Sequence, residues 1–147
     1  FRAAKWGWVP TPKEGRASVV HVGDLARLLV ALLPSGEAVT GQVFEPDDGK
    51  PAGWSHYELA RAIGHAMGKR PRVFGLSRRA MERAARIDGA LRGKRAKLTL
   101  DRAAYFSHPD WVVSTEACPP RALWQPQIET REGLRATARW YRKHRWV

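Results

Sequence analysis

Apolar and polar positions along the chain sort it into short α and β pieces. Residues 1–15 carry Trp6, Trp8, Pro10 and Pro12 and read as an aromatic loop. Residues 17–22 are β-branched and predict a short buried strand. Gly23 and Asp24 then offer a helix cap. Leu25, Leu28, Leu29 and Leu32 follow at i, i+3, i+4 and i+7, one apolar helical face ended by Pro34-Ser35-Gly36. Residues 41–45 predict a second strand, and 46–53 form a turn-rich loop. Ser55 and Glu58 make a capping box for a helix with Leu59, Ile63, Ala66 and Met67 on one side. Residues 72–75 are a third extended segment. Ser77 caps a helix whose apolar stripe is Ala80, Ala84, Ile87 and Leu91, with Arg78, Arg79, Arg83, Arg86 and Arg92 on its other sides. Thr99 caps a short helix through Tyr105, ended by His108-Pro109. Residues 110–127 are irregular, and Thr130 caps a last helix aligning Leu134, Ala138 and Tyr141. The order is α/β, with few short strands and about five helices. Three strands make a thin sheet, and strands buried on both faces need neighbours, so partner strands are expected outside the sequence.

Composition narrows the class. The 147 residues suit one modest domain, and 44% hydrophobic with 27% charged residues excludes a disordered chain. The best apolar run, 25–33, is interrupted by Arg27, so no spanning segment and no membrane partner are expected. A single cysteine, Cys118, excludes an internal disulfide framework and fits a cytoplasmic setting. The net charge of +12 favours anionic ligands. A dense cationic segment runs from Arg78 through Lys94, Arg95, Lys97 and Arg102 and could hold phosphates or a nucleic-acid backbone. The seven tryptophans are spread along the chain rather than interleaved with these cations, so a solvated arginine face is favoured and nucleic acid is the rival. Phe1 opens the chain without a signal-peptide pattern, and a preceding portion is expected.

The absent motifs exclude more. There is no G-x-G-x-x-G, P-loop, G-x-S-x-G or H-E-x-x-H, and none of Tyr57, Tyr105 or Tyr141 has a lysine four residues on. The five histidines are scattered, so no metal site is expected, and Cys118 has no histidine neighbour in sequence to activate it. Asp47-Asp48 reads as a solvated turn, Asp24 as a cap, and Trp124, Trp140 and Tyr141 as core. No catalytic residue is identified.

Several segments, in order, resemble a known family. Val20-His21-Val22-Gly23-Asp24-Leu25-Ala26 resembles the "VHVxDLA" segment of extended short-chain dehydrogenase/reductases, the NAD-dependent epimerase/dehydratase family. Residues 41–49 and 55–63 resemble the strand, loop and helix that follow. The stretch 98–111 resembles a late segment ending "hpdW", Leu123-Trp124-Gln125-Pro126 the "LGWxP" element, and 130–147 the "WYr" ending. Residues 116–121 and the basic helix around Arg83 depart from the family pattern and leave the substrate unassigned.

The resemblance implies the C-terminal, substrate-binding lobe of a Rossmann-type enzyme, 1–147 as one lobe, with the cofactor-binding half missing. Residues 41–67 would pack back on the absent sheet. The whole enzyme would bind NAD or NADP and move hydride while a tyrosine transfers a proton; the lobe alone would bind no cofactor and be inactive. Its partners would be the missing half and a small-molecule substrate, phosphorylated or a nucleotide-sugar, with a homodimer left open. Arg102, Arg72 and Arg78 are the candidate substrate-binding arginines by charge and position. His21 and Asp24 match a family motif and are expected to hold the strand-to-helix turn. A cofactor-less scaffold on the same fold is a further alternative.

Overall fold

The computed structural model describes residues 1–147, the side chain of Ala38 aside. The chain is a small mixed α/β structure. Its elements are α1 (Arg2–Trp6), β1 (Trp8–Pro12), β2 (Arg16–Ala17), α2 (Val22–Leu32), β3 (Trp54–Ser55), α3 (His56–Ala66), β4 (Arg72–Leu76), α4 (Arg78–Arg92), α5 (Leu100–Phe106), β5 (Asp110–Trp111) and α6 (Thr130–Lys143). None of the helices among the described residues is long and apolar enough to cross a membrane.

The strands form two small sheets. β1 and β4 pair in parallel, Trp8 opposite Arg72 and Pro12 opposite Leu76. β2 lies between β3, antiparallel, and β5, parallel. The N-terminal stretch is therefore not a loop. Arg2–Trp6 makes a short helix stopped by Gly7 at φ +80°, and the following strand accommodates Pro10 and Pro12 because it has a free edge. The strand expected over 17–22 shrinks to Arg16–Ala17. His21 caps α2 in place of Gly23 and Asp24, its Nδ1 accepting the Gly23 N–H at 3.0 Å. Residues 41–45 form no strand; the Glu45 N–H donates to the Ala117 carbonyl at 2.8 Å.

Local capping follows the sequence closely. The Ser55 hydroxyl accepts the Glu58 N–H at 3.1 Å, and the Glu58 carboxylate accepts the Ser55 N–H at 2.9 Å. Ser77 caps α4 and Thr99 caps α5. At α6 the cap is Glu129, one residue before the expected Thr130, its carboxylate accepting the Glu132 N–H at 2.9 Å.

The main core is built of small residues. Ala4, Ala66, Met67 and Ala138 bring α1, α3 and α6 together, with Phe1, Val9, Ile63 and Leu134 packed around them. A second core joins α4 and α5 through Met81, Ala85 and Ala103, with Leu76 and Leu98 against it. The stripe that α4 buries is thus Met81 and Ala85, one position on from the apolar row read in the sequence; Ile87 and Leu91 point outward. Trp124 is buried and Tyr141 half-buried as core residues, but Trp140 is 46% exposed.

The capping box makes a pH prediction. Hydrogen bonds from the Ser55 backbone and hydroxyl, then Lys50, pull the Glu58 carboxyl down from 4.5 to about 2. A lowered carboxyl pKa gives stability that is present above about 4.5 and lost as the pH falls towards about 2. Burial also lowers the His56 pKa from 6.5, so that group too destabilises the fold on protonation as the pH falls. Glu58→Gln, which keeps the cap but cannot titrate, should flatten the fall of the thermal midpoint in the acid window below about 4.5. An unchanged pH profile would contradict it. Ser55→Ala should cost about 1 kcal/mol at neutral pH.

Candidate functional site

Asp24 organises the region where two hollows meet. It sits in the first turn of α2 and is completely buried. Its carboxylate accepts the backbone N–H of Gln127 at 3.2 Å and of Ile128 at 3.0 Å, and it pairs with the Arg27 guanidinium one helical turn on. The Asp24 carbonyl accepts the Trp124 indole N–H at 2.8 Å. A buried carboxylate is tolerable only with such donors around it, so Asp24 ties the loop 124–128 to α2. His21 adds a second tie: its ring lies so close to Gly133 of α6 that a Cβ there would come within 2.6 Å of it. Both motif residues therefore hold structure, His21 as the cap and Asp24 as a long-range brace rather than the cap expected of it.

The facing loop 46–53 is braced in the same way. Asp47 accepts the Ser18 hydroxyl at 3.0 Å and the Gly49 N–H at 2.8 Å. Asp48 accepts the Trp54 indole N–H at 2.7 Å, the Lys50 N–H at 3.2 Å and the Thr130 hydroxyl. The pair is not a solvated turn: its carboxylates are spent joining β2, β3 and α6.

Between these braces lie the hollows. The first, about 590 Å³, is bounded by Ala26, Val30 and Ala31 of α2 and by Leu123. The second, about 520 Å³, lies between loop 46–53 and the segment 112–126, with Val112, Val113, Pro119 and Pro126 as apolar wall and with Asp47 and the Glu58-paired Lys50 on the loop side. Arg121, Trp124 and Gln125 border both. Arg121 is exposed and makes no ion pair among the described residues. Cys118 also faces the second hollow; burial, then the carboxylates of Asp47 and Glu45, push its thiol pKa up, which keeps it protonated and a poor nucleophile. Outside the first hollow, Leu29 of α2 and Leu33 just after it are exposed.

The arginines selected from the sequence lie elsewhere. Arg102 donates to the Lys97 carbonyl at 2.7 Å, Arg72 lies 5.5 Å from the Trp8 ring centroid, and Arg78 pairs with Glu82 at 3.0 Å. None of the three borders either hollow. Arg121 takes that position, and its signal was the interruption 116–121 immediately before Leu123-Trp124-Gln125-Pro126. Among the described residues no group of three or more His, Cys, Asp or Glu side chains could hold a metal ion.

The residues present do not fit a dinucleotide. The N-termini of α2, α3, α4 and α6, where a pyrophosphate would lie, are closed by His21, Ser55, Ser77 and Glu129, and three of those ends carry carboxylates, Asp24 at α2, Glu58 at α3 and Glu129 with Glu132 at α6, that repel phosphate.

No family model matches the chain. A ceramide reductase of Caulobacter vibrioides (strain NA1000 / CB15N) is 29% identical over 139 residues. The match takes in 92% of this chain and 42% of that protein, so the chain spans less than half the length of this relative.

Proposed function

We propose that this chain is the substrate-binding lobe of an NAD(P)-dependent reductase of the extended short-chain dehydrogenase/reductase kind, inactive by itself, and that its substrate is a ceramide-type lipid. One observation carries the substrate assignment. Two apolar-walled hollows meet at a single unpaired cation, Arg121, an arrangement suited to an amphiphile with apolar chains and a polar head. The resemblance to a ceramide reductase along 92% of the chain supports the same class. The exposed apolar pair Leu29 and Leu33 supports the expectation of a covering neighbour, because a face of this kind is normally packed. The nucleotide would be held mainly by that neighbour, because the capped helix N-termini of this chain offer no open cradle for a pyrophosphate. A nucleotide-sugar held by Arg102, Arg72 and Arg78 has no hollow behind it and is the weaker reading.

The test is titration of the chain with a short-chain ceramide, followed by tryptophan emission. Saturable binding is expected. Arg121→Ala should weaken it about tenfold or more, the worth of a hydrogen bond to a charged group. Arg102→Ala, Arg72→Ala and Arg78→Ala should leave it unchanged. Absence of saturable binding, or loss in the second set with none in Arg121→Ala, would contradict the assignment.

A further inference from the structure

Helix α4 has two apolar rows, and the second core accounts for only one. Met81 and Ala85 are 6% and 3% exposed and pack on α5. Ala80, Ala84, Ile87 and Leu91 fall in a separate row at i, i+4, i+7 and i+11. Its outer members, Ile87 and Leu91, are 60% and 80% exposed. Beside this row, further from the core, run Arg79, Arg83 and Arg86, all exposed. The helix continues into the exposed turn Gly93–Arg95, with Lys94 and Arg95.

The charges are unbalanced. The two acidic residues of α4 are both engaged, Glu82 with Arg78 at 3.0 Å and Asp88 with Arg92 at 2.8 Å. Asp88 also accepts the N–H groups of Lys97 and Leu98. Arg79, Arg83, Arg86, Lys94 and Arg95 have no ion pair among the described residues.

We infer that the outer face of α4 docks on an anionic phospholipid bilayer surface, Ile87 and Leu91 entering the boundary of the acyl chains while the arginines meet lipid phosphates. An apolar row flanked by unpaired cations on a helix too short and too charged to span is the pattern of an in-plane interfacial helix. The row decides between bilayer and nucleic acid. Phosphates of a duplex would satisfy the arginines but give Ile87 and Leu91 nothing to bury against. A second copy of this chain would set two arginine rows against each other. A chain with no spanning helix can bind a bilayer in this way, which a search for spans does not detect.

The experiment is co-sedimentation of the protein with phosphatidylcholine vesicles, with and without phosphatidylglycerol. Uptake by the anionic vesicles alone is expected, and added salt should weaken it. Ile87→Glu with Leu91→Glu should lower the partition coefficient at least about tenfold, since each residue would otherwise bury a large apolar side chain. Arg83→Glu with Arg86→Glu should lower it as well and flatten its salt dependence. All four side chains already face solvent, so helix content by circular dichroism should not change. The inference is overturned by failure to bind anionic vesicles, by equal uptake on phosphatidylcholine alone, or by binding that the Ile87/Leu91 variant leaves intact. Tighter binding to a generic duplex oligonucleotide, insensitive to Ile87 and Leu91, would assign the face to nucleic acid. Loss of self-association as the sole effect of that variant would assign it to a second copy. The readout needs no turnover, so it stands or falls apart from the reductase reading.

Discussion

Asp24→Ala should destabilise the chain by about 3 kcal/mol, a large share of the roughly 5–15 kcal/mol that holds a domain of this size. The substitution removes the acceptor for the Gln127 and Ile128 N–H groups and leaves the Arg27 guanidinium without its partner. Arg27 is 37% exposed on its side chain and can turn to water, so the cost lies at the lower end of that for breaking a buried pair. Asp24→Asn should recover part of it, because an amide oxygen can serve one of the two N–H groups but its NH₂ opposes the other. Urea unfolding checks this: the midpoint should fall with the slope unchanged. Because the loop 124–128 walls both hollows, Asp24→Ala should weaken lipid binding even where the variant stays folded. A wild-type midpoint for Asp24→Ala would refute the brace.

Trp124→Ala should cost about 3–5 kcal/mol, the range for deleting a large buried ring. It also leaves the buried carbonyl of Asp24 without its indole donor. Trp124→Phe keeps most of the apolar volume and loses that hydrogen bond, so its cost should be nearer 1 kcal/mol. Trp124 borders both hollows, and its removal should enlarge them. Thermal unfolding of the three proteins should rank wild type, Trp124→Phe, then Trp124→Ala. Wild-type midpoints for both variants would show that the indole contributes neither packing nor hydrogen bonding there.

Features set by neighbours in sequence were legible, and features set by distant partners were not. Ser55 with Glu58, Ser77 and Thr99 act within one turn, and each caps the helix expected of it. Gly41 to Glu45 looks like a strand by composition, yet no strand lies alongside to pair it. Trp54–Ser55 and Asp110–Trp111 carry no strand pattern, and Arg16–Ala17 only touches the start of one; they pair because the tertiary fold brings them together. Helix α4 offers two apolar rows, and periodicity alone cannot choose between Met81 with Ala85 and Ile87 with Leu91. Asp24 finds its partners more than a hundred residues away, so its brace is invisible to local reading. Charge density in the sequence points to the Arg78–Arg92 helix and not to Arg121, whereas a site depends on the walls around a cation.

The most direct measurement is oxidation of reduced nicotinamide cofactor, in the presence of a carbonyl-bearing ceramide-type lipid, by this chain alone and by a polypeptide joining it to the cofactor-binding half that the proposal requires. The account predicts turnover by the joined polypeptide, reduced about tenfold or more by Arg121→Ala, and none by the chain alone. Turnover by the chain unaided, or a joined polypeptide that binds neither nicotinamide cofactor nor lipid, would contradict it.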